Sequence, residues 1–373
     1  PLQSEAFDDD KARPFFANLL PEAEQRHIIA GQLGVSEGND YAILEAIGGE
    51  CAGAVRLLPE GLQPELSDNH YQPLSDKALA ELIKQLPKRP MLAGDEGIRL
   101  SLAGAQSKLP VYFHGEQISL PRGNAPSSHI IKPPISRMQH TVENEAFCMQ
   151  LAAKVGLPVP AATVLHKDPS LYLVQRYDRL RQADNKTIRL HQEDFCQALA
   201  IPPTLKYEKE GGPSLQACFQ LIRDRSIAPI ADARSLLNWV IFNYLIGNAD
   251  AHGKNLSLML TANGPELAPF YDLLCTAVYP DLTAKLAMRI GGEDRPDWII
   301  DRRWEQFASD IGISDKLVKS TLKKMSQRIV DEAPALKAEF YVEHGHCDII
   351  DKIITTIIEK RAHKVATILA GTK

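Results

Sequence analysis

Three polar side chains with the spacing of a catalytic loop lie between residues 247 and 256. This segment reads Gly-Asn-Ala-Asp-Ala-His-Gly-Lys-Asn-Leu and contains Asp250, His252 and Asn255 as D-x-H-x-x-N. A carboxylate can orient an attacking hydroxyl and accept its proton, while an amide oxygen shortly after it binds Mg²⁺ at the nucleotide phosphates. The Asp-to-Asn step equals that of the protein-kinase catalytic loop and predicts phosphoryl transfer with Asp250 as base. The alternative is a polar turn after a helix.

A second acidic residue stands where a kinase needs another metal ligand. Phe270-Tyr-Asp272 follows a predicted hairpin whose turn is Ala262-Asn-Gly-Pro265. We expect Asp272 at a strand end, where it would bind Mg²⁺ together with Asn255.

Upstream segments supply candidates for holding ATP. Residues 101–108, Ser-Leu-Ala-Gly-Ala-Gln-Ser-Lys, can form a small-residue loop at phosphates, although the pattern is neither G-x-G-x-x-G nor a Walker A loop and an ordinary hairpin turn is the alternative. Lys132 ends an apolar run, and either Glu145 or Glu143 on the next helix can pair with it. Residues 175–178, Gln-Arg-Tyr-Asp, follow a strand-like run and would present backbone groups to adenine and a carboxylate to ribose. These segments occur in the order in which the site residues follow one another along a kinase chain. That order is the phosphate loop, the lysine, the helix glutamate, the hinge, the Asp and Asn of the catalytic loop, and the second metal-binding Asp.

The elements that must position these residues predict an α+β, two-lobed protein-kinase-like fold. One helix, about 142–155 with Thr141 as N-cap, interrupts a small, mostly antiparallel sheet. Its predicted strands are Ile98–Leu102, Leu109–Phe113, His129–Lys132 and Leu171–Val174.

The second half of the chain is predicted to be mostly helical. Asp232 can cap a helix with one apolar face. That face comprises Leu236, Leu237, Val240, Ile241, Tyr244 and Leu245.

The first part combines helical periodicity over 15–58 with a polar, Pro-containing stretch over 59–73 that is typical of a linker. We therefore expect an N-terminal subdomain over 1–75, a kinase-like N-lobe over 76–190 and a helical C-lobe over 191–373. Because the sequence begins at Pro1 without Met, an N-terminal stretch is expected to be missing.

Composition restricts the possible functions. The 373 residues carry a formal net charge of −5, which argues against nucleic-acid binding by the chain's own field. The six cysteines are scattered without C-x-x-C pairs and are predicted to be reduced core residues. Without an apolar run of membrane-spanning length or a signal-like start, a cytoplasmic protein is expected.

Together these motifs resemble the HipA family of bacterial toxin serine/threonine kinases, of HipBA type II toxin–antitoxin systems. The resemblance covers roughly residues 10–290, and the tail from about Ile299 is similar mainly in being helical. It rests on segments 101–108, 128–132, 144–145, 175–179, 192–196, 206–208, 211–213, 247–257 and 269–272.

The resemblance implies roles for residues that match the family's motifs. It implies Asp250 as the base and Ser101 as an autophosphorylation site. The nucleotide and metal would be bound by Ala103, Gly104, Ala105, Gln106, Ser107, Lys108, Lys132, Glu145, Gln175, Arg176, Tyr177, Asp178, His252, Gly253, Lys254, Asn255, Tyr271 and Asp272.

Partners are also implied by the resemblance. They are a HipB-like helix-turn-helix antitoxin, operator DNA bound mainly through it, and a protein substrate such as an aminoacyl-tRNA synthetase. Some members carry a Lys-rich DNA-contacting loop near the equivalent of residues 291–297, but here this stretch is acidic on balance. Direct DNA contact by this chain is therefore not expected. Two rival functions stay open: a small-molecule phosphotransferase and a non-catalytic nucleotide-binding corepressor subunit.

Overall fold

The computed structural model describes residues 5–58, 60–61, 70–95, 97–183 and 186–371. The chain divides into two compact units that each combine separate stretches of sequence. The first contains residues 1–133, 165–204 and 259–261, and the second contains 134–164, 205–258 and 262–373. The three-part division expected from the sequence stays a prediction.

Three helices open the first unit: α1 (Asp9–Ala17), α2 (Ala23–Leu33) and α3 (Asp40–Ile47). They confirm the predicted helical periodicity from residue 15 to Ile47, whereas residues 48–58 form no helix. Leu19, Leu20, Ile29, Ile43 and Leu44 are almost fully buried in a small core of their own. These residues hold α2 in place, the helix that contacts the predicted phosphate loop.

An antiparallel sheet forms the rest of this unit's framework. Its strands are β1 (His70–Pro73), β2 (Leu109–His114), β3 (Gln117–Arg122), β4 (His129–Lys132) and β6 (Leu171–Gln175). Strand β5 (Ala162–Leu165) precedes β6 in the chain, and all but its last residue belongs to the second unit. Neighbouring strands follow the order β1-β3-β2-β4-β6. Helix α4 (Asp76–Gln85) buries Leu79 and Ile83 in the same core as the sheet.

The remaining elements of the first unit are short. They are β7 (Arg179–Arg181), β8 (Thr187–Arg189), β9 (His191–Asp194) and α6 (Phe195–Ala198). Strands β7 and β8 pair antiparallel directly after the predicted hinge.

Three of the four predicted strands are confirmed, and one is wrong. Residues 98–102 make only an isolated bridge between Leu100 and Glu50, because Glu50 accepts from Ser101 N–H and donates to the Arg99 carbonyl. Most of the predicted linker over 59–73 lies outside the described residues, but its last four residues form β1 rather than a linker.

The second unit is mostly helical. Its helices are α5 (Thr141–Lys154), α7 (Leu215–Arg225), α8 (Pro229–Ile246), α9 (Asp301–Asp310), α10 (Asp315–His344), α11 (Asp348–Lys352) and α12 (Glu359–Ala370), with a π-helical turn, Ile353–Ile358, joining the last two. The long helix α10 packs against α5, α8, α9 and α12. Strand β10 (Ser257–Thr261), whose last three residues belong to the first unit, is joined to β11 (Gly264–Leu267) by the predicted turn.

Two predicted helix caps are wrong. Helix α8 begins at Pro229, so Asp232 lies inside it and accepts hydrogen bonds from Ser226 Oγ (2.5 Å) and Leu267 N (2.9 Å). His140, in a left-handed conformation, precedes α5, and Thr141 instead accepts from Ile135 N at 3.0 Å. In both cases a tertiary contact uses the oxygen that a cap would need.

Burial confirms the predicted core residues. The apolar face of α8 is buried, and burial extends around the helix because Trp239, Phe242 and Ile246 are buried too. All six cysteines are free and buried, as predicted. Among the described residues, no helix has both the length and the apolar character needed to cross a membrane.

Candidate active site

The predicted catalytic loop begins where α8 ends. Gly247 ends the helix in a left-handed conformation with φ 78°. A Cβ there would lie 2.7 Å from Ile357 Cγ2 and 2.9 Å from Ala277 Cβ. Both the backbone angle and the packing therefore require glycine at the point where the chain leaves the helix.

Hydrogen bonds within the second unit define the loop's shape. Asn248 donates to Asn243 Oδ1 (2.8 Å) and accepts from Asp250 N (3.1 Å). Ala249 N donates to Thr276 Oγ1 at 2.7 Å, and that hydroxyl donates to the Gly247 carbonyl at 3.2 Å. The buried loop backbone thus presents Asp250, whose side chain is exposed.

Among the described residues of the second unit, one side chain donates a hydrogen bond to the carboxylate of Asp250. Tyr207 Oη donates to Asp250 Oδ1 over 2.7 Å. The ring of Tyr207 also meets His252 edge to face, with centroids 5.3 Å apart. A carboxylate that is exposed and held by a hydrogen bond can accept a proton from a bound hydroxyl.

The two predicted metal ligands lie side by side. Asn255 Nδ2 donates to Asp272 Oδ2 over 3.3 Å, and Asn255 Oδ1 accepts from His252 N over 3.0 Å. The amide oxygen keeps a second lone pair, so Asn255 and Asp272 together offer the hard oxygen donors that Mg²⁺ prefers. This donor set fits the expected metal.

Asp272 does not lie at a strand end, which corrects that detail of the prediction. Strand β11 ends at Leu267, and Asp272 follows in an irregular segment with φ 54°. Aspartate is among the few residues that tolerate this left-handed conformation.

A buried amide and a half-buried phenol hold both segments in place. Asn144 donates to the Cys275 carbonyl and accepts from Cys275 N, each at 2.9 Å, and so ties α5 to the chain just after Asp272. Tyr271 Oη donates to the Lys254 carbonyl at 2.6 Å. These contacts fix the turn that contains Asn255.

The predicted phosphate loop belongs to the first unit and is folded around its own lysine. Lys108 Nζ donates to the Ala103 carbonyl over 2.6 Å. Gly104 has φ 110°, and a Cβ there would lie 2.5 Å from that ammonium. Gln25 Nε2 donates to the Ala105 carbonyl at 2.6 Å, which ties the loop to α2.

Ser101, at the start of this loop, is completely buried. Its hydroxyl donates to the Leu19 carbonyl over 2.8 Å. In this conformation the hydroxyl is therefore a structural donor, and phosphorylation requires the segment to open.

Lys132 and Glu145 are both buried, in different units. Lys132 is the last residue of β4 and stands opposite Tyr172 of β6, and its ammonium lies 5.4 Å from the centroid of that ring. The pairing of Lys132 with Glu145 stays a prediction.

The segment 175–178 contributes side chains to a buried ionic network of the first unit. Asp178 accepts from Arg176 Nη2 and Gly53 N, both at 2.7 Å, and Glu50 accepts from Arg179 Nη2 at 2.8 Å. Burial by itself would raise the pKa of Glu50, but Arg179, Arg176 and Arg189 lower it to about 2. Arg176 and Asp178 are thus engaged inside the unit, and nucleotide binding by this segment stays a prediction.

We expect Glu50→Gln to destabilise the protein by about 3–5 kcal/mol, because it removes a buried anion from among arginines that stay charged. The folded-state pKa of Glu50 lies below its ordinary value of 4.5, so its contribution is complete above that pH and is lost as pH falls toward about 2. Urea unfolding at several pH values measures this. The free energy of unfolding should decline less with acid in the variant, and an unchanged acid dependence would contradict the prediction.

Several residues that shape the site were not assigned from sequence. Tyr207, Asn248 and Thr276 carry no local pattern that identifies them. The segments containing Asn144, Tyr207 and Asn248 contributed to the family resemblance, and that was the signal the sequence offered for these residues.

Comparison with protein families gives two matches. The model of the HipA-like C-terminal domain matches residues 100–333, and that of the HipA N-terminal domain matches residues 1–58.

Individual relatives and a solved structure extend this similarity. Y4mE of Sinorhizobium fredii, which is provisionally assigned as a kinase, is 46% identical over 87% of this chain and 79% of its own. The serine/threonine-protein kinase toxin HipA of Shewanella oneidensis is 34% identical over 84% of this chain and 75% of its own. A chain in the structure of the Shewanella oneidensis HipA, HipB and operator DNA complex superposes with a TM-score of 0.85 at 30% identity, covering 97% of this chain and 87% of that one.

Proposed function

The chain belongs to the HipA family and is a serine/threonine-protein kinase, and from that membership we propose that Asp250 is its catalytic base in ATP- and Mg²⁺-dependent phosphoryl transfer. The observation that carries this proposal is the arrangement in the second unit. Asp250 is exposed on a hydrogen-bonded loop, and the same loop places Asn255 Nδ2 3.3 Å from Asp272 Oδ2.

The other site residues are proposed to act on the nucleotide. Asn255 and Asp272 would bind Mg²⁺, which neutralises phosphate charge when present. Lys132 and the 103–108 loop would bind the phosphates, and residues 175–177 the adenine. Glu145, Asp178, Lys254, His252, Gly253 and Tyr271 complete the proposed nucleotide site.

Labelled ATP distinguishes this function from its rivals. The purified chain, Mg²⁺ and a cell lysate are incubated together, and the labelled species is identified. Label on serine or threonine of a protein supports the proposal, label on a metabolite indicates a small-molecule phosphotransferase, and no label indicates a non-catalytic nucleotide-binding subunit. The expected protein target is a translation component, such as an aminoacyl-tRNA synthetase.

We expect the kinase to phosphorylate its own Ser101 and thereby to lose ATP affinity. A phosphate adds about −1.5 to −2 charges where the buried hydroxyl now donates to Leu19, so the loop must open. The phosphate on Ser101 would also compete with the phosphates of ATP for the N–H groups of the loop and for nearby cations. Mass spectrometry after incubation with Mg-ATP, followed by calorimetry with ATP, measures both steps.

Ser101→Ala is the matched control, since it cannot be modified. Absence of phosphate on Ser101, or equal ATP affinity of phosphorylated and unmodified protein, would reject the switch and leave the kinase assignment intact.

The proposed partners are a HipB-like helix-turn-helix antitoxin and, through it, operator DNA, as in the matched Shewanella oneidensis complex. In the 291–297 loop, Glu293 pairs with Arg295 at 2.7 Å, which leaves little positive charge for phosphates. Fluorescence anisotropy with operator DNA should show weak binding by this chain alone. Tight binding without antitoxin would overturn that expectation.

A further inference from the structure

We infer that Tyr207 is a positioning residue for Asp250: its phenol holds Oδ1 so that Oδ2 faces the acceptor hydroxyl. This inference rests on the proposed function of Asp250. Tyr207 Oη donates to Oδ1 over 2.7 Å. Among the described residues no hydrogen bond reaches Oδ2, which leaves this oxygen available to a substrate.

A closed ring of contacts fixes the distance between Tyr207 and Asp250. Ala249, next to the base, accepts from Ala287 N at 2.9 Å, and the Ala287 carbonyl accepts from Glu208 N at 3.1 Å. Asp250 directly follows Ala249 in the chain and Tyr207 directly precedes Glu208, so the hydrogen bond between Tyr207 and Asp250 closes the ring. The phenol and the carboxylate are therefore attached to one hydrogen-bonded frame within the second unit.

Two further contacts hold Tyr207's own segment against this frame. Glu208 Oε2 accepts from Arg289 N at 2.6 Å. Gly212 N donates to the Tyr207 carbonyl at 2.9 Å, and a Cβ on Gly212 would lie 2.1 Å from the Leu205 carbonyl oxygen. Because Gly212 has no Cβ, its backbone can pack directly against the backbone of residues 205–207.

The chemistry favours positioning over proton transfer by Tyr207. A phenol that donates to a carboxylate fixes the rotation of the group and leaves the second oxygen as acceptor. An exposed aspartate without this contact samples several rotamers, and only some of them place an oxygen at the substrate hydroxyl. Correct placement of a reacting group contributes directly to the rate.

Tyr207→Phe should lower kcat on the order of tenfold, because one hydrogen bond to a charged group is lost. The KM for ATP and the melting temperature should change little. Tyr341→Phe is the matched control, since it also removes a phenol donor to a carboxylate, Asp351 Oδ2 at 2.9 Å, in the same unit. We expect that control to keep kcat.

A double-mutant cycle with Asp250→Glu, which keeps a carboxylate but displaces it, tests whether Tyr207 acts through the base. Coupled effects are expected because the two groups touch. Additive effects, an unchanged kcat in Tyr207→Phe, a rise in kcat, or phosphate found on Tyr207 would each overturn the inference. If Asp250→Asn itself keeps activity, the proposed base is wrong, and that outcome is distinguishable from failure of Tyr207 alone.

Discussion

Asp250→Asn is expected to reduce phosphoryl transfer by about 10²- to 10⁴-fold, the usual contribution of a general base. The amide keeps the size of the side chain, and its oxygen can still accept from Tyr207, so the loop should keep its shape. ATP affinity and melting temperature should therefore stay close to those of the wild type. Single-turnover transfer of labelled phosphate together with ATP titration measures both quantities.

Asp281→Asn is a suitable control, since Asp281 is an exposed carboxylate of the same unit. It should have wild-type activity. Transfer by Asp250→Asn at a rate near wild type would reject Asp250 as the base.

Asp272→Ala and Asn255→Ala are expected to weaken Mg²⁺-dependent ATP binding by at least about tenfold each. Each substitution removes an oxygen donor from a hard cation that accepts few substitutes. Calorimetry with ATP at increasing Mg²⁺ concentrations measures the effect. ATP binding without Mg²⁺ should change much less.

Asp272→Asn distinguishes loss of the metal ligand from backbone strain, because asparagine adopts the left-handed angle of φ 54° at a lower cost than alanine. If loss of the carboxylate is responsible, this variant should also need more Mg²⁺. A Mg²⁺ titration unchanged in the Asp272 and Asn255 variants would contradict the assignment of both ligands.

Much of the fold followed from local patterns. β-Branched and apolar runs predicted β2, β4 and β6, and the glycine-containing turn predicted the β10–β11 hairpin. These predictions succeeded because short β-branched and apolar runs bounded by turn residues indicate buried strands from neighbouring residues alone, and β2 and β6 each begin with such a buried run. The apolar residues of α8 were likewise correctly assigned to the core.

The errors occurred where a distant group took over a polar atom. Asp232 resembles a helix cap, yet it binds Leu267 N from β11. Residues 98–102 resemble a strand but bond to Glu50 through a single bridge. Local propensity carries no information about such partners.

The sequence by itself predicted the kind of chemistry: the spacing of Asp250 and Asn255, followed by Asp272, indicates a base and a pair of oxygen ligands, and these roles are the ones proposed above. Only the tertiary structure decided how these groups are held. Asn255 and Asp272 are joined by a hydrogen bond, the phenol of Tyr207 lies on Asp250, and the side chains of Arg176 and Asp178 are enclosed with Glu50. The physical reason is that residue types fix what a group can donate or accept, whereas folding chooses its partner from residues far away in the chain.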